Sequence, residues 1–479
     1  MGFSGPSIVV DTACSSSSVA LYQAHRALIQ GDCNAALVGG VNAITSPDVT
    51  TSILFGPMQQ LKSHTQMFIG LDRGHLLSPT GQCKPFDASA NGYSRGEGCV
   101  LFVMKRLSDA RSENDNVLGI IRGIEVNQSG TASSIIHPHF ATQKDLFETL
   151  LKKSATEAHR VNVVEAHGTG TQAGDTTEVA SIRSVFGAQR EPHNPLYITS
   201  IKANIGHLEA ASGAVSLAKL LLMLQHRTIP KQISLQCLNP GIAPLQLDNT
   251  IIPRAPTFWS PSQAGTTRLA VLNNFGAAGS NSALLLEEYP PCAYPHFGTL
   301  GIPFVFALSA RTEQALQNLR LKYVEWLRSP VSSATHLADI AYTMTARRQI
   351  HRHRIAVSAI DKTELIDKLY RAPSRQAATR PTHIAFVFSG QGGQYLGMGR
   401  TLYRTCPMFR RIIDKCHSIL VDQGFSGILQ VVDAVNSGED LQPIEECESF
   451  QTTIVALQYA LAQLWMTWGL SPRLVVGIR

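Results

Sequence analysis

Residues 9–18 of the chain read VVDTACSSSS, and this stretch decides how the rest of the sequence is interpreted. The β-branched residues 8–10 predict a buried strand, and apolar residues at helical spacing over 19–29 predict a helix. Cys14 is therefore expected on a tight turn between a strand and a helix, a position that presents a nucleophile. The helix N-terminus would favour its thiolate, and the small residues around it would let a substrate approach.

Two histidines further along the chain lie in motifs of small residues. His167 stands in EAHGTGT after the strand-like residues 161–164, and His207 ends SIKANIGH, just before a helical segment that finishes near Leu224. Turns at the ends of rigid elements often carry catalytic groups, whereas a lone histidine or cysteine is more often structural. We apply the structural interpretation to His25, His64, His75, His137, His139, His351 and His353.

Taken together, the three motifs resemble those of the β-ketoacyl synthase family, whose members condense an acyl thioester with a malonyl thioester. The segments CKPFDA (83–88), GYSRGEG (92–98) and NNFGAAGSN (273–281) add to the resemblance. It covers nearly all of residues 3–289 and implies a thiolase-like fold, in which two similar halves pack as layers of helix and sheet. We therefore expect an α/β protein.

The resemblance also assigns roles to individual residues. It implies that Cys14 carries the acyl chain as a covalent thioester, and that His167 and His207 donate hydrogen bonds to the malonyl carbonyl as carbon dioxide leaves. The amides of Cys14 and of the glycine-rich turn near Ala277 would form an oxyanion hole. Lys202, five residues before His207, would set the electrostatics of the site rather than lie on the surface.

One position of the glycine-rich turn departs from the family pattern. Phe275 and Gly276 keep the pattern, but Ala277 stands where the family often has a second aromatic residue. A smaller side chain there would admit a bulkier acyl chain. Together with residues 69–75 and 272–275, this turn is similar to that of the non-reducing iterative polyketide synthases of filamentous fungi, which make poly-β-keto chains that cyclise to aromatic products.

Residues 290–382 are predicted to form a small α/β linker domain. A stretch rich in proline and aromatic residues, 290–303, leads into successive strand, helix, helix and strand patterns. The basic run at 347–354 has no interleaved aromatic residues and no recognisable nucleic-acid-binding fold. A solvated or interdomain face is therefore the favoured interpretation of this run, and no nucleic acid is expected as a partner.

Residues 383–479 resemble the start of a malonyl acyltransferase domain with an α/β fold. A strand pattern at 384–388 precedes SGQGGQYLGMG, where the resemblance makes Gln391 a candidate for stabilising an oxyanion. This turn lacks the Lys-Ser/Thr pair that a phosphate-binding loop needs. The chain ends in VVGIR, where the family continues with a Gly-His-Ser elbow, so we expect this unit to be truncated and unable to transfer acyl groups.

The family pattern has several strands and helices before the cysteine motif, whereas thirteen residues precede Cys14. The synthase at 1–289 is therefore expected to be incomplete, lacking its N-terminal part and exposing apolar sheet edges. Residues 49–66 have no counterpart in the family, and their removal joins the flanks smoothly, which favours a translated intron over a binding loop. The alternative function is a non-catalytic fragment or gene-model artefact of a polyketide synthase.

Length and composition limit the number of domains and the class of protein. A length of 479 residues allows about three domains, and 44% hydrophobic residues suffice for buried cores. Nine cysteines without metal-site spacing and no secretory signal indicate reduced thiols in the cytoplasm, and no metal is expected. The apolar segment 214–224 is too short to span a membrane.

The resemblance also implies the partners of the enzyme. It implies malonyl-CoA and the phosphopantetheine arm of an acyl carrier protein domain as sources of the acyl and malonyl thioesters, with no further cofactor in this chain. The parent enzyme is expected to form a homodimer. The net charge of +6 is mild and would suit a surface that meets an acidic carrier protein.

Overall fold

The structure is a computed structural model that describes residues 4–44, 68, 70–134, 137–188, 190–290, 303–377, 383–390, 392–434 and 443–477. Four predictions lie wholly or mostly outside the described residues: the intron-like segment 49–66, the structural role of His64, the proline-rich stretch 290–303 and the oxyanion candidate Gln391. The chain divides into two compact units, Met1–Tyr294 and Pro295–Arg479.

The first unit is built from helices and strands in alternation. Its helices are α1 (Ser16–Gln30), α2 (Leu107–Ser112), α3 (Phe140–Lys153), α4 (Gln172–Phe186), α5 (Lys202–Ile205) and α6 (Ser212–His226). Its strands are β1 (Ala35–Asn42), β2 (Gly98–Lys105), β3 (Ile120–Gln128), β4 (Val163–Glu165), β5 (Leu196–Thr199), β6 (Thr228–Ile229), β7 (Thr250–Ile251), β8 (Thr257–Phe258), β9 (Leu269–Phe275) and β10 (Ser280–Glu287).

These elements form layers. Strands β1 and β2 pair antiparallel, and a six-stranded sheet has the order β3-β10-β9-β4-β5-β7, with β4 parallel to both of its neighbours. Helices α1 and α6 pack between the two sheets, because α1 contacts β1 and β3 while α6 contacts β1, β2 and β9. Helix α3 covers the other face of the large sheet and packs against α4. This is the layered α/β arrangement that the sequence predicts.

The central strands are buried on both faces, which makes the large sheet a rigid base for its strand ends. Ala270 and Leu272 of β9 pack into the core shared with α1 and α6. Val271 packs into the core on the opposite face, with the residues of α3 and α4. Side chains on a strand point alternately to opposite faces, so β9 contributes to both cores. The turns that follow β4 and β9 are thereby held side by side.

The predicted strand at 8–10 is wrong. No strand is assigned there, and Ile8 and Val9 are 63% and 98% exposed. A β-branched sequence favours a strand only where a neighbouring strand accepts its hydrogen bonds and covers its side chains, and among the described residues this stretch has neither. Exposed apolar side chains also line one face of the β1–β2 pair: Leu37, Val41, Leu101 and Val103.

The second unit contains two groups of elements. Strands β11 (Phe304–Ala310), β12 (His353–Ala359) and β13 (Arg375–Gln376) form an antiparallel sheet that packs on α7 (Glu313–Arg328), α8 (Leu337–Ala346) and α9 (Lys362–Arg371). Strands β14 (Ala385–Phe388) and β15 (Leu474–Gly477) pair parallel, and helices α10 (Arg400–Thr405), α11 (Pro407–Asp422), α12 (Leu429–Val432) and α13 (Pro443–Thr467) complete the second group.

The strands and helices predicted for this unit are present. Among the described residues, no helix has the length and hydropathy needed to cross a membrane.

Candidate active site

Cys14 lies on a strained turn directly before α1. The preceding residue, Ala13, has a φ of 55°, a left-handed conformation that residues with a side chain seldom adopt. Its amide donates a hydrogen bond to the Asp11 carboxylate at 3.0 Å. From the other side, the Ser212 hydroxyl donates to the Cys14 carbonyl at 2.9 Å. The predicted helix after Cys14 is therefore confirmed. The contacts made by Asp11 and by Ser212 hold the cysteine turn in place.

The glycine-rich turn after β9 packs on the cysteine turn. A Cβ atom at Gly276 would lie 2.5 Å from the Thr12 carbonyl oxygen and 2.9 Å from Ser15 Oγ, so only glycine permits this approach. The approach brings the Ala277 amide, with the amide of Cys14 itself, close enough to the cysteine sulfur to act against the rise in the pKa of the thiol. These are the two amides that the sequence assigns to an oxyanion hole, a role that stays a prediction.

His207 is completely buried, and its backbone is fixed by the GYSRGEG segment. Its amide donates to the Ser94 carbonyl at 2.7 Å, and its carbonyl accepts from the Gly96 amide at 2.9 Å. The Glu209 amide donates to the ring Nδ1 at 3.1 Å, so in the neutral imidazole the proton resides on Nε2. Within the described part of the chain, this buried Nε2 has no hydrogen-bond partner. It is a donor available to a ligand.

His167 follows β4 and is fixed in the same way. Its backbone amide donates to the Glu178 carboxylate at 2.6 Å, and the Asn274 side-chain amide donates to its Nδ1 at 3.3 Å. The orientation of Asn274 is set because its oxygen accepts from Ser18 Oγ at 2.9 Å and its nitrogen donates to Ser212 Oγ at 3.1 Å. Nδ1 of His167 is thus an acceptor, and the neutral ring carries its proton on Nε2.

The three predicted reacting residues converge. Cys14 Sγ and one ring nitrogen each of His167 and His207 lie within 4.8 Å of one another. The two imidazole rings meet edge to face, with centroids 5.4 Å apart, and the Phe275 ring centroid is 6.0 Å from that of His167. All four side chains line one cavity of about 400 Å³. The structure therefore brings together a thiol and two imidazole donors in a space large enough for an acyl chain.

Lys202 is buried at 1% exposure, which excludes a place on the surface. Its ammonium group has no hydrogen-bond partner among the residues that the structure describes. Burial lowers the pKa of Lys202, whereas the Glu178 and Glu165 carboxylates oppose this shift. A thiol and two imidazoles are also ligands that Zn²⁺ accepts, but the positive charge of Lys202 beside them opposes a bound cation.

The same lysine influences the protonation of the reacting groups. Burial, followed by the charge of Lys202, holds the pKa of both His167 and His207 well below the usual value for histidine. Burial raises the pKa of the Cys14 thiol to about 11, although Lys202 and two backbone amides act in the opposite direction. The expected thiolate is therefore wrong for the resting site, because the loss of hydration outweighs the helix N-terminus. The resting site holds a thiol and two neutral imidazoles.

This protonation state predicts how Cys14 reacts with iodoacetamide. The thiolate is the reacting form, so the alkylation rate should rise about tenfold per pH unit from about pH 7 to about pH 10. The rate is followed by mass spectrometry of the Cys14 peptide, with glutathione as the reference thiol, whose rate should level off at lower pH. A Cys14 rate that levels off together with that of glutathione would contradict the effect of burial.

Sequence reasoning missed the buried polar residues that support the site. They are Tyr93, Glu165, Asp175, Glu178, Lys219 and Asn274. Most of them stand inside or beside the motifs quoted above, and this position could have indicated a role in the site. Lys219 could have been noticed because it is the one charged residue in the apolar segment 214–224.

Glu165 connects the two histidine segments. It ends β4, two residues before His167, and its Oε2 accepts from Lys219 Nζ and from Thr199 Oγ1, both at 2.6 Å. Its Oε1 accepts from the Ile201 amide at 2.7 Å. One buried carboxylate thus ties the end of β4 to α6 and to the segment after β5, which fixes the spacing between the His167 turn and the His207 turn.

Comparison with known families agrees with this geometry. The profile described as "Beta-ketoacyl synthase, N-terminal domain" matches residues 1–110, and "Beta-ketoacyl synthase, C-terminal domain" matches residues 118–236. Residues 1–236 thus match both parts of the β-ketoacyl synthase family. Outside the ketoacyl synthase part, "CurL-like, PKS C-terminal" matches residues 304–369 and "Acyl transferase domain" matches residues 385–478.

The curated relatives that match this chain include fungal polyketide synthases, as the sequence predicts. An orsellinic acid synthase of Armillaria ostoyae is 56% identical over 476 residues, which are 99% of this chain and 21% of the relative. An orsellinic acid synthase of Beauveria bassiana is 44% identical, with the same coverages, and a kotanin synthase of Aspergillus niger is 40% identical, with 99% and 27% covered. The chain thus spans about a fifth to a quarter of these relatives.

Comparison with solved structures confirms the thiolase-like fold. The oxazolomycin ketosynthase domain OzmH KS7 of Streptomyces albus aligns with a TM-score of 0.65 and 31% identity, covering 80% of this chain and 64% of that one. The ketosynthase from module 6 of the Bacillus subtilis bacillaene synthase aligns with a TM-score of 0.62 and 26% identity, covering 90% and 69%.

Proposed function

We propose that the first unit catalyses the decarboxylative Claisen condensation of acyl and malonyl thioesters in polyketide biosynthesis. The observation that carries this proposal is the convergence of Cys14 with two neutral imidazoles, each of which holds its proton on Nε2. A thiol can carry an acyl group, and two neutral donors can stabilise an enolate oxygen. The cavity that joins them gives both substrates access to the same sulfur.

The first step transfers the acyl chain to the enzyme. Cys14 Sγ attacks the carbonyl carbon of the incoming thioester, the bond to the carrier sulfur breaks, and the thiol proton leaves with the carrier thiolate. The amides of Cys14 and Ala277 stabilise the negative oxygen of the tetrahedral intermediate. The small side chain of Ala277 leaves room at this turn for a bulky chain.

The second step uses the histidines. When carbon dioxide leaves the malonyl thioester, the electron pair of the broken carbon–carbon bond forms an enolate, whose oxygen accepts from Nε2–H of His167 and His207. Both rings donate while neutral, a state that burial and Lys202 maintain. The enolate carbon then attacks the acyl carbon on Cys14, the sulfur leaves, and a β-ketoacyl thioester two carbons longer results.

The proposal also includes the substrates, the oligomeric state and the domain boundaries. The substrates are acyl and malonyl thioesters on the phosphopantetheine arm of an acyl carrier protein domain, and the malonyl group comes from malonyl-CoA. The enzyme is cytoplasmic and forms a homodimer. Residues 1–289 form the synthase, 290–382 the linker domain and 383–479 the acyltransferase part, in which Gln391 stabilises an oxyanion. The relatives named as orsellinic acid and kotanin synthases support a non-reducing polyketide product.

The test uses small thioesters in place of carrier-bound ones. The chain is incubated with the acetyl and malonyl thioesters of N-acetylcysteamine, and the acetoacetyl thioester is measured by mass spectrometry. The wild-type chain is expected to form it and the Cys14→Ala variant is not. A folded wild-type chain that forms no acetoacetyl product would overturn the proposal in favour of a non-catalytic chain.

A further inference from the structure

Tyr93 is a third side chain that faces the reacting groups. It lies in the GYSRGEG segment, is 6% exposed, and lines the same cavity as Cys14. Its ring meets the His207 ring edge to face, with centroids 4.8 Å apart. Its backbone is fixed, because the amide donates to the Leu76 carbonyl and the carbonyl accepts from the Ser78 amide, both at 2.9 Å. The tyrosine is therefore held rigidly at the cavity wall.

The hydroxyl group of Tyr93 makes no hydrogen bond to any other residue that the structure describes. Burial, with a contribution from the nearby Cys14, raises the pKa of Tyr93 above its usual range, so the hydroxyl keeps its proton and acts as a donor. A rigid donor that faces a substrate cavity without a protein partner is suited to a substrate oxygen.

Two of the substrate oxygens already have hydrogen-bond donors in this site. The carbonyl of the acyl group on Cys14 has the amides of Cys14 and Ala277 as donors, and the malonyl carbonyl has the two histidines. A donor to the malonyl carboxylate would stabilise the ground state and slow the loss of carbon dioxide. The oxygen that remains is the keto oxygen at the β-position of the acyl chain on Cys14.

The rest of the cavity wall favours the same kind of chain. Gln128, Ser129 and Asn281 line it, and so does His139, whose Nδ1 accepts from the Thr142 amide at 3.4 Å. In the neutral ring, Nε2 of His139 is then another donor. A hydrocarbon chain would leave the His139 donor without a partner, whereas a chain with an oxygen on every second carbon can accept from it.

We propose that the Tyr93 hydroxyl donates a hydrogen bond to the β-keto oxygen of the acyl chain on Cys14, and that the site thereby prefers β-ketoacyl chains to fully reduced ones. This inference rests on the proposed function and makes Tyr93 a specificity-determining residue of that reaction. The hydrogen bond forms when the chain is loaded onto Cys14, so the preference is measurable in the first step alone.

The test compares two chains of four carbons that differ at the β-position. The acetoacetyl and butyryl thioesters of N-acetylcysteamine are offered to the chain, and acylation of Cys14 is followed by mass spectrometry of the intact protein. In Tyr93→Phe, which keeps the ring against His207, the ratio of acetoacetyl to butyryl loading rates should fall about five- to tenfold, the loss expected for one hydrogen bond. Tyr197→Phe removes a hydroxyl from β5, away from this cavity, and should leave the ratio as in the wild type.

The outcomes separate the two proposals. An unchanged ratio in Tyr93→Phe, or an equal loss of both loading rates, overturns the role of the hydroxyl and leaves the condensing function standing, because Cys14 is still acylated. A wild-type chain that accepts neither thioester overturns the proposed function and this inference together. A ratio that falls equally in Tyr197→Phe also overturns the inference, since the effect would not depend on the cavity.

Discussion

Replacing Lys219 with Met is expected to lower the free energy of unfolding of the first unit by about 3–5 kcal/mol, the range for a buried ion pair that loses one partner. Lys219 Nζ lies 2.6 Å from Glu165 Oε2, and the two side chains are 8% and 0% exposed. Without the lysine, the Glu165 carboxylate keeps its hydrogen bonds to Thr199 and Ile201 but stays buried with an uncompensated charge. The β4 end and α6 would lose the tie between them.

The change is measured by urea titration with pulsed hydrogen exchange, reading peptides from the central strand β9. Lys144→Met is the matched control, because Lys144 pairs with Glu148 one turn away on α3 and both are at least 41% exposed. That pair should contribute about 0.5 kcal/mol or less. The double variant Glu165→Gln/Lys219→Met removes both charges and should recover part of the loss. A Lys219→Met effect no larger than that of the control would show that the buried pair does not stabilise the unit.

Replacing His207 with Ala is expected to reduce the decarboxylation of a malonyl thioester about 100- to 1,000-fold, as for the loss of one oxyanion donor. The reason is geometric: Nε2 of His207 is buried, carries the proton and has no other partner within the described residues. The imidazole of His167 would remain as the second donor, so some activity above that of the uncatalysed reaction should persist.

Carbon dioxide release from malonyl-N-acetylcysteamine gives the rate directly. His226→Ala is the control, because His226 is exposed at the end of α6 and lies outside the cavity. Comparable rates in His207→Ala and His226→Ala would remove His207 from the chemistry. Circular dichroism shows whether His207→Ala is unfolded. If it is, His207→Gln distinguishes a catalytic from a structural loss, because an amide N–H can replace the imidazole donor and should restore part of the rate.

Short motifs and local periodicity carried the correct predictions. Cys14, His167, His207 and Lys202 could be placed from the sequence because each lies in a run of small residues at the end of an element. In the second unit, the first predicted helix starts at a local signal, because the Thr312 hydroxyl accepts from the amide three residues on at 3.2 Å. The helix Lys362–Arg371 was not predicted, although the Asp361 carboxylate makes the same kind of hydrogen bond at 2.8 Å.

The failures concern effects that depend on residues far apart in sequence. The strand at 8–10 needed a neighbouring strand, which no local pattern can guarantee. The thiolate of Cys14 depended on how much water the folded site excludes, and that is set by several elements at once. The ion pair between Glu165 and Lys219 joins residues 54 positions apart, so only the packing of α6 on the large sheet reveals it.

The most direct test of the account is to identify which residue carries the acyl group. After incubation with acetyl-N-acetylcysteamine, peptide mapping should find the acetyl thioester on Cys14 and on none of the other eight of the nine cysteines. Addition of the malonyl thioester should then remove it from Cys14 and release an acetoacetyl product. Acylation of a different cysteine, or an acetyl group that stays on Cys14 when the malonyl thioester is added, would contradict a condensing site built from Cys14, His167 and His207.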